Sequence, residues 1–241
     1  MTEPLLEVRG VSIAFGGLQA VREVGLDVHA GTLTALIGPN GAGKTTLFAL
    51  ISGFLKPDAG HVRFRGRDIT GRAPHLNARD GLTRTFQIVQ PFAAQTVREN
   101  IAVGAHLHEA KRERALAAAE AVADRVGLAP QLDKPAADLT VAGRKRLELA
   151  RALATRPQLI LLDEVLAGLN PNEVAEMIPV VRGLVAGGVT VLMIEHVMQA
   201  VMNLADTVWV LAQGELIAHG TPAQVTADAR VIEAYLGHGT A

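Results

Sequence analysis

Apolar and polar residues alternate over the first part of the chain. The alternation in residues 6–15 predicts two short strands that are separated near Gly10, and the same pattern returns in residues 24–28. Alternation of this kind is typical of antiparallel strands that have one face in the core and the other in water. The chain is therefore predicted to begin with an antiparallel β subdomain.

Three later segments are predominantly apolar and carry no charged residue, which is typical of strands that are buried on both faces of a parallel sheet. They are residues 32–37, 159–162 and 189–194. Residues 88–138 are instead rich in alanine, with apolar residues at helical spacing: Leu116, Ala119, Ala123 and Val126. The predicted fold class is α/β, in a single domain of residues 1–241. It combines a parallel-sheet core, the N-terminal antiparallel β subdomain and a helical subdomain inserted at residues 88–138.

Residues 38–46 read Gly-Pro-Asn-Gly-Ala-Gly-Lys-Thr-Thr and match the phosphate-loop pattern G-x-x-x-x-G-K-[ST] at every fixed position. Because an apolar run precedes them and a helix-compatible run follows, a buried strand is predicted to lead into a helix N-terminus. Free N–H groups and the helix dipole favour a bound phosphate there. The predicted nucleotide contacts in this loop are Gly38, Pro39, Asn40, Gly41, Ala42, Gly43, Lys44, Thr45 and Thr46.

The residue types of this loop suit nucleotide chemistry. Gly41 and Gly43 let the backbone curl around phosphates. Lys44 reaches the β and γ oxygens, and the hydroxyl of Thr45 is placed for Mg²⁺. The alternative is a glycine-rich turn that happens to carry a lysine, but strand, loop and helix occur here in the expected order. The chain is therefore predicted to bind a nucleoside triphosphate.

Acidic and histidine side chains follow the two later apolar runs. Asp163 and Glu164 come directly after residues 159–162, at a strand end where α/β folds bind ligands. Asp163 is placed to hold Mg²⁺ and Glu164 to polarise an attacking water, the alternative being two acids that only cap the strand. His196 follows residues 189–194 and is able to donate a hydrogen bond to a γ-phosphate, although a lone histidine is more often structural.

Two further residues have a local interpretation. Phe15 precedes Gly16 and Gly17, so its ring either stacks on a purine base or packs in the core at a strand end. Thr140 is predicted to cap a helix that ends before Pro157.

Composition and charge limit the classes of partner. The chain has 241 residues, of which 49% are hydrophobic, so it is able to bury a sizeable core. Its net charge of −1 and pI of 6.7 give no basic footprint, so no nucleic-acid partner is predicted. The chain has no cysteine, which excludes disulfides. Neither a signal peptide nor an apolar stretch of ~18 residues is present, so we expect a cytosolic protein that reaches a membrane only through a partner.

Taken in order, these features resemble an ATP-binding subunit of an ABC transporter over essentially the whole chain. The resemblance is carried by Phe15, residues 38–46, Gln87, the helix opening near Leu139, the strand that ends in Glu164, and His196. The resemblance is closest to the subunits of branched-chain amino-acid importers. The sequences at residues 84–87, 167–171 and 231–237 carry that closer match.

The resemblance implies a role for each candidate residue. Phe15 would stack on adenine, and Gln87 would contact Mg²⁺ and the attacking water while signalling to a membrane domain. Asp163 would be the acid of the Walker B strand, Glu164 the catalytic base and His196 the switch histidine. The implied catalytic set is Glu164, His196, Lys44 and Gln87, and the implied contacts to Mg²⁺ are Thr45, Gln87 and Asp163.

Members of this family work as pairs that sandwich two ATP molecules, with each phosphate loop facing the partner's signature. Thr140 and Gly143 are the implied contacts to that second nucleotide. The usual L-S-G-G-Q signature is replaced here by Leu-Thr-Val-Ala-Gly at residues 139–143, so Ala142 adds a Cβ and Gly143 lacks an amide side chain. Val165 and Asn170 also replace a usual proline and aspartate. We hypothesise a heterodimer in which this chain completes its partner's site less well, with a homodimer as the alternative.

The predicted function is to bind and hydrolyse ATP with Mg²⁺ and so to power an importer of branched-chain or related amino acids, at the cytoplasmic face of the membrane. The predicted partners are membrane permease subunits, a second ATP-binding subunit and, indirectly, a solute-binding protein. Residues 88–95, with Phe92 as an apolar anchor, are predicted to receive a permease helix, unless Phe92 is an ordinary core residue.

Alternative functions differ in the sequence features that they require. An importer for other small organic solutes fits every motif, because other subunits select the solute. A soluble ABC-type ATPase of DNA repair or translation usually has tandem nucleotide domains or a long coiled-coil insertion, and this sequence has neither. A GTPase or small-molecule kinase shares the phosphate loop but needs an Asn-Lys-x-Asp motif or an acceptor-binding lid, and we find no such motif.

Overall fold

The computed structural model describes residues 3–87 and 90–236, and of Leu236 it describes the backbone alone. The strands are β1 Leu6–Phe15, β2 Leu18–Val28, β3 Leu33–Ile37, β4 Ala59–Phe64, β5 Arg67–Asp68, β6 Leu82–Arg84, β7 Leu159–Asp163, β8 Thr190–Ile194, β9 Thr207–Ala212 and β10 Glu215–Gly220. The helices are α1 Lys44–Ser52, α2 Pro74–Arg79, α3 Val97–Ala105, α4 Arg112–Arg125, α5 Val141–Leu153, α6 Pro171–Ala186, α7 Met198–Leu204, α8 Pro222–Thr226 and α9 Ala229–Leu236.

The core is a six-stranded sheet with the order β10-β9-β3-β8-β7-β6. The strands from β9 to β6 run parallel, while β10 pairs antiparallel with β9. The predicted parallel-sheet core is confirmed. Because β3, β7 and β8 are parallel neighbours, the segments that follow their carboxyl ends meet at one edge of the sheet.

The second sheet has the order β2-β1-β4-β5 and is antiparallel throughout. The predicted antiparallel subdomain is confirmed, but the predicted break near Gly10 is wrong, because β1 is continuous. Gly10 has a φ of 58°, and the register with β2 shifts between Val8 and Val11. Gly10 therefore belongs to a bulge, which bends a strand without ending it.

Two separate apolar clusters cover the two faces of the parallel sheet. Along β3, Leu33, Ala35 and Ile37 belong to one cluster, which they share with side chains of α3 to α7. Leu36 belongs to the other cluster, with side chains of α1 and of the antiparallel sheet. Burial on both faces explains why the core strands are predominantly apolar.

Helices α3 and α4 come between β6 and α5 in the sequence, and they pack against each other. In the predicted apolar stripe, Ala119, Ala123 and Val126 are fully buried and Leu116 is partly buried. The inserted helical subdomain is confirmed as helical. Its limits at residues 88 and 138 stay a prediction, and Ile88 and Val89 lie outside the described residues. Across the described ranges, no helix is both long and apolar enough to cross a membrane.

Candidate nucleotide site

The phosphate loop joins β3 to α1, as predicted, and two of its glycines are required by close backbone contacts. A Cβ at Gly38, where φ is 150°, would lie 1.9 Å from the carbonyl oxygen of Leu211. A Cβ at Gly43, where φ is 101°, would lie 2.3 Å from the carbonyl oxygen of Ala20. Any larger residue would push the loop away from β9 and β2, so these glycines hold the loop against the core.

Lys44 is the first residue of α1, and its side chain folds back into the phosphate loop. Its Nζ donates hydrogen bonds of 2.8 Å to the carbonyl oxygens of both Gly38 and Pro39. Burial lowers the pKa of Lys44, and the negative charges of Glu164 and Asp163 oppose that effect. The ammonium group is thus held where the loop curls and where phosphate oxygens would enter.

A cavity of about 470 Å³ opens beside this loop. Its wall consists of Leu18, Gln19, Ala20, Asn40, Gly41, Ala42, Gly43, Lys44, Thr45, Thr46, Glu164, His196, Gln213 and Gly214. In the part of the chain that the structure describes, Phe15 does not line this cavity, although it pairs with the lining residue Leu18 across the β1–β2 turn. Phe15 is 48% exposed, so the alternative in which it packs in the core is wrong.

Glu164 is the centre of a hydrogen-bonded cluster beside the cavity. Gln87 Nε2 donates to Oε2 of Glu164 at 2.7 Å. Nε2 of His196 lies 2.8 Å from the other carboxylate oxygen, Oε1. Glu164 therefore contacts two residues that the sequence predicted separately, because β6, β7 and β8 end side by side.

The backbone of Glu164 is held as firmly as its side chain. Its φ of 50° is unusual for a residue with a Cβ. Its N–H donates to the carbonyl oxygen of Ile194 at 3.0 Å, and its own carbonyl oxygen accepts from Nζ of Lys145 at 3.0 Å. Lys145 was not predicted from the sequence, since no local pattern separates a buried lysine on α5 from its exposed neighbours.

Asp163 ends β7 and is almost completely buried, with 2% of its surface exposed. Its Oδ2 accepts from Nη2 of Arg84 at 2.7 Å, and its N–H donates to the hydroxyl of Thr85 at 3.1 Å. Oδ1 is buried without a hydrogen-bond partner. An unpaired carboxylate oxygen and the exposed hydroxyl of Thr45 are oxygen ligands of the kind that Mg²⁺ prefers.

Aromatic rings surround the other side of Arg84. The guanidinium carbon lies 5.6 to 5.9 Å from the ring centroids of Phe48, Phe54 and Phe86. Phe54 and Phe86 meet edge to face at 5.5 Å and are both about half exposed. The sequence singled out Arg84 only as part of a family resemblance and did not predict its pairing with Asp163.

Glu195 lies behind the cluster with 1% of its surface exposed. Its Oε1 accepts a hydrogen bond from the N–H of Leu166 at 3.0 Å. Burial raises the pKa of Glu195 to about 7, and the hydrogen bonds from backbone N–H groups offset only part of that effect. This carboxyl group was also not predicted from the sequence.

The signature segment lies at the start of α5 and does not line the cavity described above. Thr140 caps this helix as predicted, because its Oγ1 accepts from the N–H of Gly143 at 3.1 Å. Val141, the next residue, is 54% exposed. The helix start is therefore available to a second molecule and apart from the chain's own phosphate loop.

The parallel core, the phosphate loop and the acid-ended strand beside it define a P-loop nucleotide-binding protein. Residues 21–167 match the ABC transporter family, and the chain belongs to that family. Residues 215–241 match a second family, described as branched-chain amino acid ATP-binding cassette transporter.

Named relatives cover nearly the whole chain. The high-affinity branched-chain amino acid transport ATP-binding protein LivG of Escherichia coli strain K12 is 38% identical over 253 residues, covering 98% of this chain and 99% of the relative. The protein with the same description from Pseudomonas aeruginosa, BraF, is 40% identical over 254 residues, with the same coverage.

Solved structures of ATP-binding cassettes from ABC transporters have the same fold. One in its ADP conformation gives a TM-score of 0.89 at 33% identity, covering 98% of this chain and 100% of that one. A nucleotide-free cassette gives a TM-score of 0.88 at 32% identity, covering 97% and 99% of the two chains.

Proposed function

We propose that this chain binds and hydrolyses ATP to power a membrane importer of branched-chain or related amino acids. Membership of the ABC transporter family and the names of its full-length relatives support this proposal. The single observation that carries the hydrolytic part is the contact of Glu164 with both Gln87 and His196 beside the phosphate loop.

In this proposal the phosphate loop binds the β- and γ-phosphates through its backbone N–H groups at the start of α1. Lys44 gives up its carbonyl contacts and turns its ammonium group to the phosphate oxygens. Phe15, half exposed beside the β1–β2 turn, is proposed to stack on the adenine. The exposed ring needs no rearrangement of the core to do so.

Mg²⁺ would supply positive charge that offsets the charge developing on the phosphate oxygens. Thr45, Gln87 and Asp163 would hold it. Glu164 is then proposed to accept a hydrogen bond from the attacking water and to orient it in line with the γ-phosphorus. His196 is proposed to donate a hydrogen bond to the γ-phosphate.

Two classes of protein partner complete the proposed machine. Thr140 and Gly143, at the exposed start of α5, would face the nucleotide of a second ATP-binding subunit. Permease subunits would dock at the cytoplasmic face of the membrane, next to residues 88–95. Phe92 is 45% exposed and its backbone is held by the side chain of Asn100, so it is not an ordinary core residue. A solute-binding protein would act only through the permease.

The first prediction concerns Glu164→Gln in the complex with its permease subunits. Because the variant keeps the shape but loses the negative charge that orients water, we expect ATP to bind normally while turnover falls by about 100-fold or more. Nucleotide binding and steady-state phosphate release measure the two effects. Wild-type turnover would remove Glu164 from this role.

Uptake tests the solute class. The complex is reconstituted in vesicles with its solute-binding protein, and ATP-driven uptake of labelled leucine is compared between the wild type and Lys44→Ala. Leucine uptake that depends on Lys44 supports the proposal. Lys44-dependent uptake of another small organic solute, without leucine uptake, would favour the broader importer function.

A further inference from the structure

Lys145 lies on α5 just after the signature segment, and it reaches two backbone positions of the candidate catalytic cluster. Its Nζ donates to the carbonyl oxygen of Gln87 at 3.2 Å and to that of Glu164 at 3.0 Å. These are the residues whose side chains hydrogen-bond to each other at 2.7 Å. One ammonium group therefore ties together the backbones on both sides of that contact.

Placing this ammonium group in the interior has a free-energy cost. Lys145 is 7% exposed, and burial lowers its pKa, while nearby carboxyl groups led by Glu195 and Glu164 oppose the change. A lysine that served only to solubilise α5 would extend into water. Its burial is compensated by the two carbonyl contacts and the surrounding negative charge.

A second side chain of α5 contacts the segment that follows Gln87. Arg151, six residues farther on, donates to the carbonyl oxygen of Gln90 at 3.2 Å and pairs with Glu148 at 3.1 Å. Its guanidinium also lies 5.2 Å from the ring centroid of Phe92. Helix α5 thus contacts Gln87, Gln90 and Phe92 through two of its side chains.

We propose that Lys145 is a positioning residue through which the signature helix fixes Gln87 and Glu164. The inference rests on the proposed function, since it assumes that Glu164 orients the attacking water. Glu164 has an unusual φ, and its carbonyl oxygen accepts hydrogen bonds from Nζ of Lys145 at 3.0 Å and from the N–H of Ala167 at 3.2 Å. Of these two donors, Lys145 is the one that also bonds to Gln87. Helix α5 then joins this chain's own hydrolytic centre to Thr140, the residue proposed to face the partner's nucleotide.

The test compares Lys145→Met, Lys145→Arg and a control, Arg146→Met, in the assembled complex. Lys145→Met removes the donor at nearly constant length, so we expect kcat to fall about 10- to 100-fold. The dissociation constant for ATP should stay within about twofold, because the phosphate loop is not touched. Lys145→Arg should recover part of kcat, since it restores hydrogen-bond donors. Arg146→Met removes a partly exposed ion pair with Glu176 and a 3.4 Å hydrogen bond to the carbonyl oxygen of Val126, neither of which involves Gln87 or Glu164, and it should keep wild-type kcat.

A second measurement follows the distance between α4, in the helical subdomain, and β4, in the antiparallel sheet. The chain has no cysteine, so the exposed residues Ala59 on β4 and Ala117 on α4 are suitable for Cys substitution and spin labelling. We expect Lys145→Met to broaden the distance distribution between the labels, because the variant lacks the hydrogen bonds from α5 to Gln87 and Glu164. Arg146→Met should leave it narrow.

Glu164→Gln in the same complex separates failure of this inference from failure of the proposed function. If Glu164→Gln keeps wild-type turnover, the proposed role of Glu164 in hydrolysis is wrong. If Glu164→Gln loses turnover while Lys145→Met retains wild-type kcat, the role of Lys145 is overturned. An equal loss of ATP binding and kcat in Lys145→Met, or an unchanged distance distribution, would overturn it as well.

Discussion

At the scale of single residues, Glu195 has an environment that makes protein stability depend on pH. Its pKa is raised from the ordinary value of 4.5 to about 7 because the carboxyl group is buried. The folded protein therefore holds a proton at Glu195 that the unfolded chain releases between these pH values. This contribution to stability is fully present below about pH 4.5 and is lost as the pH rises through about 7.

We accordingly expect the change in unfolding free energy from wild type to Glu195→Gln to be more favourable at pH 8 than at pH 5. The difference between the two pH values should be roughly 2 to 3 kcal/mol. The amide keeps an oxygen that accepts from the N–H of Leu166 but carries no charge. Urea unfolding of both proteins at the two pH values measures the difference, with the exposed Glu233→Gln as a control. Parallel pH profiles for the wild type and Glu195→Gln would contradict the prediction.

The sequence predicted those site residues that belong to a short, spaced pattern. Gly38, Gly43 and Lys44 form such a pattern, and their packing gives its physical reason. Lys145 and Glu195 belong to no pattern, because their burial depends on elements far away in the chain. A charged residue on an amphipathic helix is expected in water, and only the packed structure shows that Lys145 is inside.

At the scale of elements, β6 and β7 are joined by a buried ion pair as well as by their backbone hydrogen bonds. Side-chain exposure is 8% for Arg84 and 2% for Asp163. Removal of one member leaves the other charge buried and unpaired, which typically costs about 3 to 5 kcal/mol. Removal of both avoids that cost.

We therefore predict that Arg84→Met and Asp163→Asn each destabilise the nucleotide-free chain, and that the double variant loses much less than the sum. Unfolding free energies in a double-mutant cycle measure the coupling. The partly exposed pair of Arg146 and Glu176 is the matched control, with an expected coupling of about 1 kcal/mol or less. Additive losses at Arg84 and Asp163 would show that the pair does not act as a unit.

Elements were predictable where the pattern was long enough. The predominantly apolar runs predicted β3, β7 and β8, because both faces of each strand are buried. β6 has only three residues, so its sequence carries no detectable period. The bulge in β1 was mistaken for a break, since glycine interrupts the alternation whether the strand bends or ends.

At the scale of the whole molecule, the altered signature predicts unequal ATP sites. In a closed pair of ATP-binding subunits, the start of α5 would present N–H donors and the hydroxyl of Thr140 to the partner's nucleotide. Here the Oγ1 of Thr140 already accepts from the N–H of Gly143, and Ala142 carries a Cβ where the family pattern has glycine. Loss of one charge-assisted hydrogen bond costs about 1.5 to 3 kcal/mol.

We therefore hypothesise a heterodimer in which the site completed by this chain's signature turns over more slowly than the site built on its own phosphate loop. The test disables each phosphate-loop lysine separately in the assembled complex, Lys44 in this chain and its counterpart in the second subunit. Because Lys44 belongs to the faster site, its substitution by alanine should remove most of the ATP turnover, and substitution of the counterpart should remove much less.

Two control measurements are needed: the size of each complex, and ATP binding at the unaltered site. Equal losses from the two substitutions would contradict the asymmetry. They are the result expected if two copies of this chain form the pair, or if the backbone at Ala142 still reaches the partner's γ-phosphate.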